Sequence, residues 1–316
     1  MTLHVLEPGL CTLVVDAGRP HTRSLGVPVS GAADRVALAV GNALVGNDPA
    51  TAALEITLAG PTLRADCDLA CVVYGAPFSL SCGMRTLTPG KTFTLHADET
   101  LRIGGARSGL RGYLCIAGGI AAPVVLDSRS ALQPVRSGDV LPCRLGTTPG
   151  RSVDIAWTWD PDVNAGQRVL RVVDGPQASW FDLADVVGPP APPFTVSSAS
   201  NRMGLRLQGA PVRLPARELV SEPVCPGAIQ ATRDGQLIVL GVDGQTIGGY
   251  PKIAQVISAD LDALGQLRPG ETITFRRVSL EEAETLYRRK QAELQRWLLR
   301  IRIALSASAP PGERGQ

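Results

Sequence analysis

Short aliphatic runs, each ended by glycine, proline or aspartate, constrain the fold of this chain more than any other feature. The clearest runs lie near Ala53–Leu58, Leu69–Tyr74, Thr92–Leu95, Leu101–Ile103, Arg111–Ala117 and Leu237–Val242, with a further one at Thr12–Val15. Runs of this length between turn-forming residues are typical of buried strands. The chain has 34 glycines and 25 prolines but only 4% aromatic residues, so Val, Leu, Ile and Ala must build its core. These patterns predict a mainly β architecture of barrels or sandwiches.

An internal repeat predicts two related β subdomains. The segments LTPGKTFTL (87–95) and LRPGETITF (267–275) share a Pro-Gly turn followed by an alternating strand. One such match is also compatible with a common turn-plus-strand pattern. Its position near the end of each β-rich block favours duplication. We therefore expect a first subdomain over 1–165 and a second over 166–278, with a crossing segment at 145–167.

Few helices are expected. Ser30 is placed to cap a helix over 31–45. Ser279 and Glu282 form a capping box that begins a C-terminal helix over 279–304, with arginines on its exposed faces. The last residues, 305–316, have the composition of a disordered tail.

The segment 237–264 carries the most specific local prediction. After the strand at Leu237–Val242, the turn residues Gly248, Gly249, Tyr250 and Pro251 precede apolar residues at helical spacing, which predicts a helix near 252–264. The N–H groups at such a helix start bind anions, whereas the helix dipole disfavours a cation such as Lys252 in the first turn. The pattern predicts an anion near Lys252, and a Lys252→Ala variant that loses activity but not stability. A plain connection with a solvated lysine is the alternative.

Several classes of protein and site are not supported. The net charge of +2 and the scattered basic residues argue against nucleic-acid binding. The N-terminus shows no signal peptide, no apolar stretch is long enough for a membrane span, and seven cysteines without a C-x-x-C pair predict a reduced, cytoplasmic protein. The spacing of the three histidines does not fit a metal site. No G-x-G-x-x-G follows a strand, so a dinucleotide site is not supported, and Arg85 stands where a phosphate loop needs glycine.

Six turn-rich segments concentrate the remaining polar residues. They are VVDAGRP (14–20), GVPVSGAAD (26–34), GNALVGNDPATAALEITLAGP (41–61), ASNRMGLRLQG (199–209), VSEPVCPGAIQ (220–230) and VDGQTIGGYPK (242–252). Together they resemble the biotin-dependent carboxyltransferase-like family over roughly residues 5–280. The resemblance implies two cyclophilin-like β-barrel subdomains with a cleft facing a partner protein.

The resemblance also implies a function and its residues. Such a chain acts as the C subunit of a bacterial ATP-dependent 5-oxoprolinase, together with the companion B and A subunits, on an amide or lactam substrate. ATP is shared with the partner, and the resemblance is compatible with homodimerisation of the complex. The catalytic residues implied are Lys252, Glu222, Asp243 and Arg202. The substrate-binding residues implied are Tyr250, Gln245, Gly248, Gly249, Asp34, Asn42 and Glu55.

Two other functions stay open at the level of sequence. One is biotin-dependent carboxyl transfer to urea or a related amide, for which biotin must arrive on another protein because no Met-Lys-Met attachment site is present. The other is a non-catalytic regulator, similar to KipA, that binds a kinase-inhibitor partner. The chain departs from the family pattern at Ala33, Asn201, Ile247 and the short segment 131–139, which bears on substrate and activity. Asp34, Glu55 and Asn42 each also have a structural reading, as a helix start, an arginine partner and a backbone bridge.

Overall fold

The computed structural model describes residues 1–146, 148, 168–188 and 191–307. Its chain divides into two compact units. The first contains the described residues of 1–18, 35–156 and 292–316, and the second those of 19–34 and 157–291. The expected boundary between residues 165 and 166 lies outside the described residues, as do residues 308–316 of the predicted tail. The first three residues of that tail, 305–307, belong instead to the C-terminal helix.

The first unit is built from eleven described strands and helix α1. The strands are β1 (Thr2–Glu7), β2 (Cys11–Val15), β3 (Ala53–Thr57), β4 (Thr62–Ala65), β5 (Leu69–Gly75), β6 (Phe78–Cys82), β7 (Arg85–Leu87), β8 (Phe93–Leu95), β9 (Thr100–Ala106), β10 (Arg111–Ile116) and β11 (Val140–Pro142). They form a six-stranded sheet in the order β11-β1-β4-β9-β6-β7 and a five-stranded sheet in the order β2-β3-β10-β5-β8. Aliphatic residues from both sheets, among them Leu63, Leu101, Leu54 and Leu114, share one core.

Helix α1 (Arg35–Leu44) packs on β5 and β10 of the first unit. It begins later than predicted, because Ser30 and Gly31 adopt φ angles of 53° and 79° and turn the chain before the helix can start. Gly41 brings the helix close to β10, since a Cβ there would lie 2.8 Å from the sulfur of Cys115. The helix ends before Gly46, whose φ of 83° suits glycine.

The second unit closes a seven-stranded barrel. Its described elements are β12 (Arg168–Asp174), β13 (Phe194–Val196), β14 (Gly204–Gln208), β15 (Glu222–Pro223), β16 (Ala228–Ala231), β17 (Leu237–Leu240), β18 (Ile247–Gly248), β19 (Lys252–Val256), α2 (Leu261–Leu264), β20 (Thr272–Arg277) and the part of α3 (Leu280–Ala307) that precedes residue 292. The barrel order is β12-β19-β16-β17-β14-β13-β20, and parallel pairing of β12 with β20 closes it. Strands β15 and β18 form a separate two-stranded ribbon. The predicted mainly β fold with few helices is confirmed.

The predicted helix over 252–264 is wrong for most of its length. Residues Lys252–Val256 form strand β19, which pairs with β16 on one side and β12 on the other, and only Leu261–Leu264 is helical. Because β19 is buried on both faces, its apolar residues need not alternate, and their spacing imitates a helix. Lys252 therefore does not lie at a helix N-terminus, and a helix dipole gives no reason to expect an anion beside it.

The C-terminal helix α3 starts as predicted and is joined to the second unit by its first half. Ser279 Oγ accepts a hydrogen bond from the N–H of Glu282 at 3.0 Å, as in a capping box. Lys290, which is 2% exposed, donates to the carbonyl of Ala259 at 2.6 Å and to Asp262 at 2.5 Å. Among the residues described, no helix combines the length and hydropathy that a membrane crossing requires.

Candidate functional site

Two neighbouring backbone elements of the second unit position the most distinctive polar side chains. Glu222 of β15 lies opposite Gly248 of β18 in the short ribbon. Lys252 begins β19, where it lies opposite Gln230 of the barrel strand β16. The chain passes from the ribbon into the barrel within Gly248–Lys252, which places Glu222, Gln230 and Lys252 around one turn.

Lys252 and Glu222 form an ion pair with unequal exposure. The Lys252 ammonium donates to Oε1 of Glu222, and the two side chains are 7% and 35% exposed. This hydrogen bond from Lys252 is the main cause of a lowered pKa of the Glu222 carboxyl, and a hydrogen bond from Gln177 adds to it. The pair therefore presents a carboxylate to solvent and holds an ammonium group behind it.

Gln177 holds both members of this pair in place. Its Nε2 donates to Oε1 of Glu222 at 2.7 Å, and its Oε1 accepts from the backbone N–H of Lys252 at 2.9 Å. Gln177 follows strand β12 in a loop that lies tightly on β19. Gly175 permits this approach, because a Cβ at that position would lie 2.3 Å from the carbonyl oxygen of Lys252. No local sequence signal pointed to Gln177, since its role depends on the contact between the loop and β19.

Two further amide side chains border Gly248. A Cβ on Gly248 would lie 3.1 Å from Nε2 of Gln230 and 3.4 Å from Nε2 of Gln245. Gln230 is 1% exposed, and its Oε1 receives a long contact of 3.5 Å from Gln245. The family segment GAIQ contains Gln230, which was the available signal for it, although the residue was not among the predicted site residues.

Arg202 and Asp243 form a second ion pair in the same unit. The guanidinium binds the carboxylate through two nitrogens, with Nε to Oδ2 at 2.6 Å and Nη2 to Oδ1 at 3.1 Å. Nη2 also donates to the carbonyl of Gly31 at 2.7 Å, and the N–H of Asp243 donates to the carbonyl of Arg202 at 3.1 Å. The pair thus joins three loops, an arrangement that favours a positioning role.

Tyr250 and Gly249 lie at the edge of the turn. Tyr250 is 37% exposed and lines a cavity of about 660 Å³, which is also bordered by the exposed side chains of Arg206 and Arg233. A Cβ on Gly249 would lie 3.3 Å from Oγ of Ser221. The structure thus brings Tyr250, Gly248, Gly249, Gln245, Lys252 and Glu222 into one region of the second unit.

Asp34, Asn42 and Glu55 make well-defined contacts within their own units. Asp34 belongs to the second unit and accepts from Nε2 of Gln266 at 2.7 Å. In the first unit, Asn42 donates to the carbonyl of Thr51 at 2.7 Å and is fully buried at the end of α1. Glu55, also buried, accepts from the hydroxyl of Tyr113 at 2.8 Å and pairs with Arg111 at 3.2 Å. These contacts match the structural readings of Asn42 and Glu55, and substrate binding by all three residues stays a prediction.

Two of the departures from the family pattern, Asn201 and the segment 131–139, make local hydrogen bonds. Oδ1 of Asn201 accepts from the N–H of Met203 at 2.8 Å and so closes the turn that carries Arg202. Ile247 is 58% exposed on the ribbon. The short segment 131–139 runs beside β2, with hydrogen bonds from Ala131 to Val14 and from Val135 to Thr12.

A buried aspartate in the first unit was not predicted as a site. Asp16 accepts from the hydroxyls of Ser128 and Ser130 at 2.6 and 2.7 Å, and from the N–H groups of Gly18 and Arg129 at 2.8 and 2.5 Å. Burial alone raises the pKa of this carboxyl, but the hydrogen bonds outweigh burial and lower it. With its oxygens so engaged, Asp16 serves to hold the 127–130 segment against the end of β2.

Within the described ranges, no group of three or more His, Cys, Asp or Glu side chains has a metal-binding arrangement, and none of the seven cysteines, all described, is in a disulfide.

Comparisons with known proteins agree on the family. Residues 25–277 match the family model described as carboxyltransferase domain, subdomain A and B. The chain is 37% identical to the 5-oxoprolinase C subunit of Escherichia coli, over 89% of this chain and 93% of that protein. It is 34% identical to the 5-oxoprolinase C subunit of Haemophilus influenzae, over 92% and 96%. The solved urea carboxylase of Kluyveromyces lactis superposes with a TM-score of 0.82 at 27% identity, over 94% of this chain but 29% of that one.

Proposed function

This chain belongs to the family of carboxyltransferase domains with subdomains A and B, and on that premise we propose that it is the C subunit of an ATP-dependent 5-oxoprolinase. It acts with the companion B and A subunits to open the lactam of 5-oxoproline to glutamate. The observation that carries this proposal is the 37% identity with a 5-oxoprolinase C subunit across nearly the whole of both chains.

The reaction requires activation of a stable lactam. The lactam carbonyl oxygen takes the terminal phosphoryl group of ATP, with ADP as leaving group. Water then adds to the activated carbon, and the ring C–N bond breaks to leave the acyl phosphate of glutamate. A second water hydrolyses this acyl phosphate to glutamate and phosphate. Negative charge on the lactam oxygen and on phosphate calls for cations and N–H donors held in fixed positions.

The second unit offers groups of this kind. The Lys252 ammonium is buried and paired with Glu222, so its side chain has little conformational freedom. Its electrostatic field is strong because its surroundings are poorly solvated. Arg206 and Arg233 at the cavity beside Tyr250 are exposed cations, which suit phosphate oxygens of ATP. Arg202 is bound by Asp243 and Gly31, so its role in this proposal is to position the loop of Asp243.

Reconstitution tests the proposal. The chain, copurified with its companion proteins, should consume 5-oxoproline only when ATP is present, and the chain alone should show no turnover. Lys252→Met in the complex should lower kcat at least a hundredfold, whereas the exposed Lys91→Met serves as the matched control and should not. ATP-independent turnover, turnover by the chain alone, or equal activity of the Lys252 and Lys91 variants would contradict it.

A second candidate is carboxyl transfer to urea or a related amide. The similarity to urea carboxylase of Kluyveromyces lactis over 94% of this chain favours it, although the identity is lower, at 27%. Biotin would come on another protein. Urea-dependent decarboxylation of a carboxybiotinylated carrier protein, without ATP-dependent loss of 5-oxoproline, would select this function. A complex that binds a kinase-inhibitor protein and turns over neither substrate would instead select the KipA-like regulator.

A further inference from the structure

The amide nitrogen of Gln230 is buried without a hydrogen-bond partner among the described residues. The residue is 1% exposed on strand β16, and its Nε2 has no hydrogen-bond partner among the residues that the structure describes. A buried amide without a partner destabilises the folded state, because it has given up its bonds to water. Such a group is therefore a candidate for binding something that the chain itself does not supply.

The mismatch does not depend on which way the amide is turned. Exchanging the oxygen and nitrogen of Gln230 would place an acceptor where the unmatched donor now lies, while Gln245 Nε2 would then face a second donor. With the present orientation, the oxygen of Gln230 faces the exposed Gln245 at 3.5 Å and the nitrogen stays available. Either orientation of the Gln230 amide therefore leaves one of its polar atoms without a matched partner.

Gly248 leaves room beside this nitrogen. A Cβ on Gly248 would lie 3.1 Å from Nε2 of Gln230, which is closer than a methyl group packs comfortably. Glycine therefore keeps this nitrogen uncovered. Across the ribbon, Gly248 lies opposite Glu222, whose carboxylate is partly exposed. Across the barrel ladder, Gln230 lies opposite Lys252. The unmatched N–H of Gln230 therefore borders Gly248, which carries no side chain. Gly248 and Gln230 each lie across a strand pairing from one member of the Glu222–Lys252 ion pair.

We propose that Gln230 is a specificity-determining residue that binds the carbonyl oxygen of an amide substrate beside Gly248, while Glu222 accepts the N–H of the same amide. The ligand class is a planar amide with one free N–H, such as a lactam or a urea. An ester or lactone of the same shape lacks the N–H and is a poorer ligand. The identity of the lactam rests on the proposed function, whereas the geometry of the subsite does not depend on it.

A Gln230→Met variant separates this role from a structural one. Methionine has a similar length and no amide, so it removes the unmatched group without opening a large cavity. In the complex with its companion proteins and without ATP, the Kd for 5-oxoproline should rise about tenfold, as expected for the loss of one hydrogen bond. The melting temperature should stay the same or rise. Gln295→Met, at an exposed position on α3, is the matched control and should change neither quantity.

A ligand panel and a second variant complete the test. Binding of 5-oxoproline, urea and the lactone analogue of 5-oxoproline is measured for wild type, Gln230→Met and Gly248→Ala. Wild type should bind the lactone more weakly than the lactam, and Gly248→Ala should weaken amide binding because its methyl group enters the space beside Gln230. Unchanged amide affinity in Gln230→Met overturns the inference, and a lower melting temperature would then identify Gln230 as a structural residue.

The outcomes distinguish the inference from the proposed function. If the wild-type complex hydrolyses 5-oxoproline and Gln230→Met binds it normally, the function stands and the role of Gln230 is wrong. If the wild-type complex does not hydrolyse 5-oxoproline, yet binds an amide of the panel more tightly than Gln230→Met does, the subsite is supported and the proposed function is wrong. If the wild-type complex neither hydrolyses 5-oxoproline nor binds an amide of the panel, both are wrong.

Discussion

The ammonium group of Lys252 donates to the carboxylate of Glu222, and the two partners differ fivefold in exposure, at 7% and 35% of the side chain. This asymmetry decides how the two residues respond to substitution. The carboxylate is able to turn toward water when its partner is removed. The ammonium group, enclosed by the barrel strand and the loop of Gln177, has no such access.

We therefore expect Glu222→Gln to destabilise the protein more than Lys252→Met. Removing the carboxylate leaves a buried cation and should lower the free energy of unfolding by about 3 kcal/mol. Removing the lysine leaves a half-solvated carboxylate and should cost on the order of 1 kcal/mol. Urea unfolding of both variants and of the exposed Lys91→Met control measures the difference. Equal losses, or a larger loss for Lys252→Met, would contradict the expectation that the buried cation is the costlier group to leave without its partner.

This expectation replaces the one from sequence, in which Lys252→Ala left stability unchanged. That prediction depended on a lysine at a helix start, and the strand β19 removes its basis. Both variants should still lower turnover in the assembled complex.

Arg202→Lys should lower stability although the charge is unchanged. A lysine has no planar fork to bind both oxygens of Asp243 and the carbonyl of Gly31 at once. The expected loss is about 1–2 kcal/mol in the free energy of unfolding, corresponding to one or two hydrogen bonds of a charged group. Arg206→Lys, at an exposed position, is the control. A loss of the same size in the control would argue against a special role for the Arg202 pair.

Acid should destabilise the first unit through Asp16. Its pKa is lowered in the folded state from a reference value of 3.8, so the unfolded chain takes up the proton first as the pH falls. The stabilisation from Asp16 is fully present above pH 4 or so and is lost as the pH drops through the folded-state value. Thermal unfolding of wild type and Asp16→Asn between about pH 2 and 6 should show a flatter acid profile for the variant.

The control for this experiment is Asp98→Asn, an exposed position with a φ of 64° that asparagine tolerates well. Its acid profile should follow wild type. Parallel profiles for wild type and Asp16→Asn would mean that the hydrogen bonds from Ser128 and Ser130 do not favour the ionised carboxylate.

Glu55→Gln should act on stability rather than on substrate affinity. Glu55 is enclosed with Arg111 and the hydroxyl of Tyr113, and removal of its charge leaves the Arg111 guanidinium buried beside a neutral amide. A loss of about 3 kcal/mol is expected, against about 1 kcal/mol for Tyr113→Phe, which removes a single hydrogen bond. Chemical unfolding gives both values. An unchanged unfolding curve with a raised KM in the complex would instead support the substrate-binding role implied by the family.

The local pattern was sufficient for elements whose signals are local. The strands β2, β3, β5 and β10 lie where short aliphatic runs end at glycine, proline or aspartate, and the hydroxyl of Ser279 caps α3. The repeated Pro-Gly turn is also real, since Gly90 and Gly270 adopt φ angles of 77° and 88°, three positions before β8 and two positions before β20. Turn geometry and capping involve residues close together in the chain, so composition and spacing carry their information.

By itself, the sequence determined the mainly β fold, the family and the short polar segments from which the candidate site is drawn. The tertiary structure decided that Lys252–Val256 is a barrel strand, because neighbouring strands pair with both of its edges and its residues are buried on both faces, which overrides the helical spacing. It also decided the partners of Lys252, since Gln177 and Glu222 lie 75 and 30 positions away in the chain. Long-range pairing of this kind depends on barrel register and loop approach, which no local pattern records.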